Sequence, residues 1–135
     1  YQAFERMSGR HVRELGLTPA QFDIVATLGN TPGMTFRELG ARTLITKGTL
    51  TGVVDRLEAR GLLRRTPSPD DGRSTIVRLT PAGERLFARV FDAHVGHNAA
   101  HFEGWREAEF VALERELERL LKALSPADPP TDETP

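Results

Sequence analysis

The turn Ser68-Pro69-Asp70-Asp71-Gly72-Arg73-Ser74 carries an arginine at its tip. An arginine lifted on a hairpin suits a narrow, electronegative minor groove of a nucleic-acid duplex. Asp71, two residues earlier, is placed to hold that guanidinium by a charge-assisted hydrogen bond, and Ser74 beside it is a further candidate for DNA contact. A purely structural ion pair at such a surface would add little stability. Upstream, Thr46, Lys47, Gly48, Thr49 and Thr51 gather hydroxyls and one cation on a short stretch with few large side chains. Hydroxyls exchange hydrogen bonds with base edges and phosphates, and a threonine methyl can meet a thymine methyl. Gly48 and Gly52 would let the backbone approach a duplex closely. Both residue types are poor helix formers, so their place on the outward face of a helix points to contact rather than folding. Arg56 is a further candidate for DNA contact, and Arg64 and Arg65, with Arg78 across the hairpin, suit phosphates better than bases.

Four histidines lie outside this stretch. His11 belongs to the first predicted helix, and His94, His97 and His101 fall along one flank of a later one. His97 and His101 have the i, i+4 spacing that can chelate one zinc ion. The alternative is a set of polar residues lining a dimer interface or an effector pocket with Arg10 and Arg13. Carboxylate or thiol partners for a metal are not evident, and no cofactor is required. With no cysteine there is no disulfide framework and no thiol redox sensor. Four scattered serines, no phosphate-binding glycine loop and no paired carboxylates in a recognisable motif give no nucleophile and base to assemble, so an enzyme is not expected.

These residues need a scaffold, and its helix starts are well marked. Phe4, Met7, His11 and Leu15 share one face of a first helix that begins without a cap. Leu17-Thr18-Pro19-Ala20-Gln21-Phe22 and Met34-Thr35-Phe36-Arg37-Glu38-Leu39 each read as N-cap, capping box and hydrophobic staple. Thr46 reads as the cap of a third such helix, which turns Leu50, Val53, Val54 and Leu57 inward and stops at Gly61. The two closely joined helices make a helix-turn-helix. Residues 62–66 and 74–79 read as strands flanking the turn, with Val77 and Leu79 on one face. Thr80-Pro81 opens a helix whose apolar stripe is Leu86, Phe87, Val90, Phe91, Val95 and Phe102. A last helix, from about Arg106, carries Phe110, Leu113, Leu117, Leu120, Leu121 and Leu124 three and four apart, a coiled-coil-like seam.

The expected class is therefore mostly α with a small β-hairpin wing. Residues 17–80 form a winged helix-turn-helix lobe, and residues 1–16 and 81–124 form helical dimerisation arms. Phe4, Met7, Phe110, Leu113, Leu117, Leu120 and Leu124 would meet a second copy. Residues 125–135, with four prolines and no basic residue, read as a disordered tail. Hydrophobic content of 39% and charged content of 27% are ordinary for a globular domain. The net charge of −1 hides a segregation: residues 42–78 hold eight basic and four acidic side chains, whereas residues 79–135 hold six and eleven. A basic middle that coincides with the wing is the footprint of a polyanion partner. No apolar run reaches membrane-spanning length and no secretory signal is seen, so a cytoplasmic protein is expected.

The stretch Leu17 to Gly83 resembles the MarR family of bacterial transcriptional regulators. The resemblance rests on Leu17-Thr18-Pro19-Ala20-Gln21-Phe22, Lys47-Gly48-Thr49-Leu50-Thr51, Asp55-Arg56-Leu57-Glu58, Gly61-Leu62, Asp71-Gly72-Arg73-Ser74 and Leu79-Thr80-Pro81-Ala82-Gly83. It implies a homodimer, joined by its terminal helices, that binds pseudo-palindromic double-stranded operator DNA with Arg73 in the minor groove and Asp71 orienting it. It further implies a repressor released by a small aromatic anion bound between the dimer helices and the DNA-binding lobe. Arg10, His11, Arg13, His94 and His97 are the candidates for that pocket. Some relatives are zinc-dependent, which would instead employ His97 and His101. The chain departs from the family pattern at Gly52, where a longer polar or basic side chain is common, and in a first helix shorter than usual. Family members that sense oxidants use cysteine, which is lacking here. A winged helix serving as a protein-interaction module is the rival from another class, and such a module has no need of a projecting arginine.

Overall fold

The computed structural model describes residues 1–43 and 45–125. Among them are six helices and three strands: α1 (Gln2–Glu14), α2 (Pro19–Leu28), β1 (Met34–Thr35), α3 (Phe36–Thr43), α4 (Lys47–Ala59), β2 (Leu63–Pro67), β3 (Thr75–Leu79), α5 (Pro81–Ala100) and α6 (Glu107–Leu124). Tyr1–His101 forms one compact unit and a second begins at Phe102. The class is the expected one, mostly helical with a small antiparallel sheet. The tail expectation falls, apart from Ser125, outside the described residues.

Threonine side chains cap three of the six described helices. Thr18 Oγ1 accepts from the Gln21 N–H at 3.2 Å while Gln21 Oε1 accepts from the Thr18 N–H at 3.1 Å. Thr35 and Glu38 form the same reciprocal box at 3.2 and 2.8 Å. Thr80 caps α5, accepting from the Gly83 N–H at 3.1 Å, and donates its hydroxyl to the Gly61 carbonyl at 2.6 Å. Gly61, at φ +72°, ends α4: its N–H reaches the Glu58 carbonyl at 2.8 Å and the Leu62 N–H reaches that of Leu57 at 3.0 Å. This is a Schellman turn, which a β-carbon would strain. Gly83 is required for another reason, because a Cβ there would stand 1.9 Å from the Leu62 carbonyl oxygen. The wing strands and α5 are thus locked together at their roots.

The main core gathers Ile24, Val25 and Leu28 of α2, Leu39 of α3, the four inward residues of α4, and Leu63, Val77 and Leu79 of the sheet. Sheet order is β1-β3-β2, with Leu63 opposite Leu79 and Arg64 opposite Arg78. Strand β1 was not expected. Its two residues are too few for any alternation to register, and Met34, anticipated only as a staple, is buried while pairing with Val77.

A second core of Val12, Leu17, Leu86 and Val90 joins α1 to α5. Two expected stripes need correction here. The buried positions of α1 are Gly9 and Val12, which leaves Phe4 exposed and Met7, His11 and Leu15 half-buried. In α5 the buried line is Gly83, Leu86, Phe87, Val90 and His94, so a histidine holds the inward position expected of Val95. Phe91 and Val95 face outward, and Phe102 lies past the helix end in the second unit. In that unit Phe102, Trp105 and Phe110 cluster with ring centroids 5.4 to 5.7 Å apart. No residue of α6 is buried, and Leu113, Leu117, Leu120 and Leu124 all remain exposed.

Candidate DNA interface and histidine cluster

The outward face of α4 is what the core leaves over. Leu50, Val53, Val54 and Leu57 point in, and Thr46, Lys47, Gly48, Thr49, Thr51 and Arg56 are exposed. The Thr46 hydroxyl does not cap the helix as expected; it donates to Thr49 Oγ1 at 3.1 Å. No acidic residue lies in the first turn either, and Lys47 adds a positive charge where the helix dipole disfavours one. Open backbone N–H groups, hydroxyls and a cation together make an anion-receptive helix start. Packing does not dictate the glycines: a Cβ at Gly48 or Gly52 would meet nothing within 4 Å.

The wing tip is held by its own polar groups. The Ser68 N–H donates to the Ser74 carbonyl at 2.8 Å, and the Ser74 N–H to the Asp71 carbonyl at 3.0 Å. Asp71 acts differently from the expectation. Its Oδ1 accepts from the Arg73 backbone N–H at 3.0 Å and its Oδ2 from the Ser74 hydroxyl at 3.2 Å, so it shapes the turn rather than gripping the guanidinium. A backbone donor two residues on is the nearer and less mobile partner. Arg73 itself is exposed.

Arg65 also departs from its expected role as a phosphate contact. It lies on the side of β2 that faces α4, where its guanidinium pairs with Asp55 at 2.7 Å and donates from Nε to Glu58 at 2.9 Å. Those bonds tie the wing to α4 and leave Arg65 as a positioning residue. On the opposite face Arg64 and Arg78 stand directly across from each other, both exposed and without ion-pair partners among the described residues. Like charges opposed on a sheet are destabilising, and an anion between them relieves the repulsion. The register of a hairpin with a fixed turn is the signal that could have paired them from sequence.

The histidines assemble between α1 and α5. His94 is 5% exposed and shares a 2.9 Å hydrogen bond, Nδ1 to Nδ1, with His11. Its Nε2 faces the Ser8 hydroxyl at 2.9 Å and the Asn98 amide nitrogen at 3.2 Å. Burial, then the neighbouring His11 and His97, pushes the His94 pKa below the ordinary imidazole value. Desolvation, then His11 and His101, lowers that of His97, against Glu14. His11 and His97 stack flat, 3.9 Å apart with planes 1° from parallel, and His101 meets His97 edge-on at 5.3 Å. Parallel stacked rings cannot aim their nitrogens at one ion. Among the described residues no group of three histidine, aspartate or glutamate side chains could hold a metal. Of the expected pocket residues, Arg10, His11 and His97 line one cavity of about 380 Å³ with Arg6 and His101. His94 lines another of about 310 Å³ with Ser8, Phe22, Asp23 and Asn98, and Arg13 lines neither. Sequence reasoning missed Ser8 and Asn98; the i, i+4 spacing of Asn98 from His94 was the available clue.

A family model described as the MarR family matches residues 15–74. The regulator MhqR of Bacillus subtilis is 31% identical over 94 residues, spanning 70% of this chain and 65% of MhqR. The chain thus spans just under two thirds of that relative's length. The regulator PecS of Dickeya dadantii is 35% identical over 111 residues, covering 80% of this chain and 67% of PecS. Among solved structures, NadR in complex with 4-hydroxyphenylacetate superposes with a TM-score of 0.75 at 25% identity, covering 90% of this chain and 86% of NadR. No described helix is long and apolar enough to cross a membrane.

Proposed function

The chain belongs to the MarR family of DNA-binding transcriptional regulators, and from that premise we propose a homodimeric repressor that holds a pseudo-palindromic operator and releases it on binding a small aromatic anion. The observation that carries the DNA reading is the uncapped, glycine- and threonine-rich face of α4, exposed in the same unit as the projecting Arg73. The start of α4 enters the major groove, where Thr46, Thr49 and Thr51 meet base edges and Lys47 a phosphate. Arg73 enters the flanking minor groove, with Asp71 and Ser74 keeping the tip in shape. Arg56 and Arg64 contact the phosphates between, and Arg65 keeps the wing in register with α4.

The dimer reading rests on α6. A helix whose leucines Leu113, Leu117, Leu120 and Leu124 are all exposed buries them in a second copy, with Phe4 and Met7 of α1 contributing. The effector reading draws support from the cationic cavity beside α1 and from NadR, which carries an aromatic acid.

The test is selection of bound sequences from a random DNA pool, followed by titration of the selected duplex over a range of salt. The proposal expects an inverted repeat, bound by two chains, with affinity falling steeply as salt rises. Enrichment of no sequence, or of a single unrepeated half-site bound by one chain, overturns it.

A further inference from the structure

One pair of side chains on the outer face of the wing is set against itself. Antiparallel register places Arg64 of β2 directly opposite Arg78 of β3. Side chains opposed in this way start roughly 5 Å apart at their β-carbons, and like charges so placed repel. Their surroundings supply no countercharge. The next pair along the same face is Thr66 and Ile76, both neutral. On the far flank of Arg78 stands Gly33, where a Cβ would lie 2.9 Å from that of Arg78, so the neighbour on that side has no side chain to pair with it. Asp55 and Glu58 are engaged by Arg65 on the opposite face of the hairpin. A charge on an exposed edge strand can serve to discourage pairing with other chains, which accounts for Arg64 on β2. It does not account for Arg78, because β3 is the central strand.

The place of the pair along the wing says what could sit between them. Pro67 and Thr75 make the last pair before the turn, and Arg64 stands three residues back from Pro67. That is roughly 10 Å along the strand. The minor groove is roughly 7.5 Å deep, so a wing tip at its floor holds the arginine pair just outside the mouth, where the phosphates stand. We propose that Arg64 and Arg78 act as one clamp on a single phosphodiester of the operator, on the backbone that borders the groove receiving Arg73. A phosphodiester offers two unesterified oxygens and one negative charge. Each guanidinium takes one oxygen, and the shared anion offsets their repulsion. The inference rests on the DNA reading proposed above and adds Arg78 to it, together with a repulsion in the free chain that binding relieves.

The experiment takes the selected operator with one phosphate at a time replaced by a neutral methylphosphonate. Each duplex is titrated with the full chain as wild type, Arg64→Gln, Arg78→Gln and the double variant. Expected is one position per half-site at which neutralisation lowers wild-type affinity about tenfold and leaves that of the double variant unchanged. On the unmodified operator the salt slope of the double variant should fall by about one for each chain bound, the value for one phosphate rather than two. Without DNA, Arg78→Gln should melt at a higher temperature than wild type, because it removes the repulsion. Wild-type affinity and slope in Arg78→Gln, or a different phosphate lost by each single variant, overturns the clamp and leaves the DNA reading in place. A DNA-free Arg78→Gln that melts lower than wild type makes Arg78 a structural residue and overturns the clamp as well. A wild type that selects no operator overturns both.

Discussion

Arg73 makes no side-chain hydrogen bond or ion pair among the described residues, so its removal has little to disturb in the fold. Arg73→Ala should leave the melting temperature unchanged while operator affinity falls by about 1–3 kcal/mol for each arginine withdrawn from a minor groove. Wild-type affinity at fixed salt would rule the wing tip out of the interface. Asp71 sharpens the point, because its carboxylate bonds are to a backbone N–H and a serine hydroxyl, neither of which needs a negative charge. Asp71→Asn preserves an acceptor for the Arg73 N–H and should bind nearly as tightly as wild type, whereas Asp71→Ala frees the turn and weakens binding. If Asn is as poor as Ala in the same titration, the carboxylate is acting on the guanidinium after all. The turn was legible in sequence because serine, proline, aspartate and glycine each encode local backbone geometry. The partner of Asp71 was not legible, since two donors lie within reach and only coordinates decide between them.

Between elements, the proposed interface needs the wing at a fixed offset from α4, so β2 must not slide, and Arg65 supplies the tie through Asp55 and Glu58. These are partly exposed pairs, so the stability involved is small, about 1 kcal/mol or less. The larger effect is on binding: Arg65→Gln frees the wing and leaves two unpaired carboxylates on α4, and it should weaken operator affinity more than Glu58→Gln does. Equal effects, measured by anisotropy at one salt concentration, would mean that the Arg65–Glu58 bond alone supplies the tie; wild-type affinity in Arg65→Gln would mean that the wing needs no tie. Gly52→Ala gives the opposite pairing. With open space around the new methyl, it should raise stability by up to about 1 kcal/mol through helix propensity alone. A simultaneous loss of affinity would mark Gly52 as a point of close approach. Capped helices and the alternating strands were readable because their signals are local. The inward face of α5 was not, because His94 is a polar residue in an apolar position and its satisfaction comes from Ser8 and His11, more than eighty residues away in sequence.

For the whole molecule, stability should carry the imprint of the histidines. His94 and His97 are held below the ordinary imidazole pKa of about 6.5, so in the window beneath that value the unfolded chain binds more protons than the folded one. Stability is then fully present above that range and is lost as pH falls through it; a ligand-free melting curve series should show the decline, and His94→Gln should flatten it. The assembly makes the stronger demand. A small domain gains by burying further apolar surface, and the leucines of α6 are exposed among the described residues. Leu117 stands near the middle of that seam at 55% exposure, so Leu117→Glu changes nothing within the DNA-binding lobe but sets a carboxylate into each half of the proposed dimer interface. Desolvating an unpaired carboxylate costs several kcal/mol, enough to split a modest helical interface. Sedimentation should therefore report a monomer, or an unstable chain, where the proposal expects wild type to be a dimer. Each monomer would read one half-site alone, so operator affinity should collapse even though every residue of α4 and the wing is intact. A well-folded Leu117→Glu protein that still sediments as a dimer would place the seam elsewhere, and the exposed leucines of α6 would then need another partner.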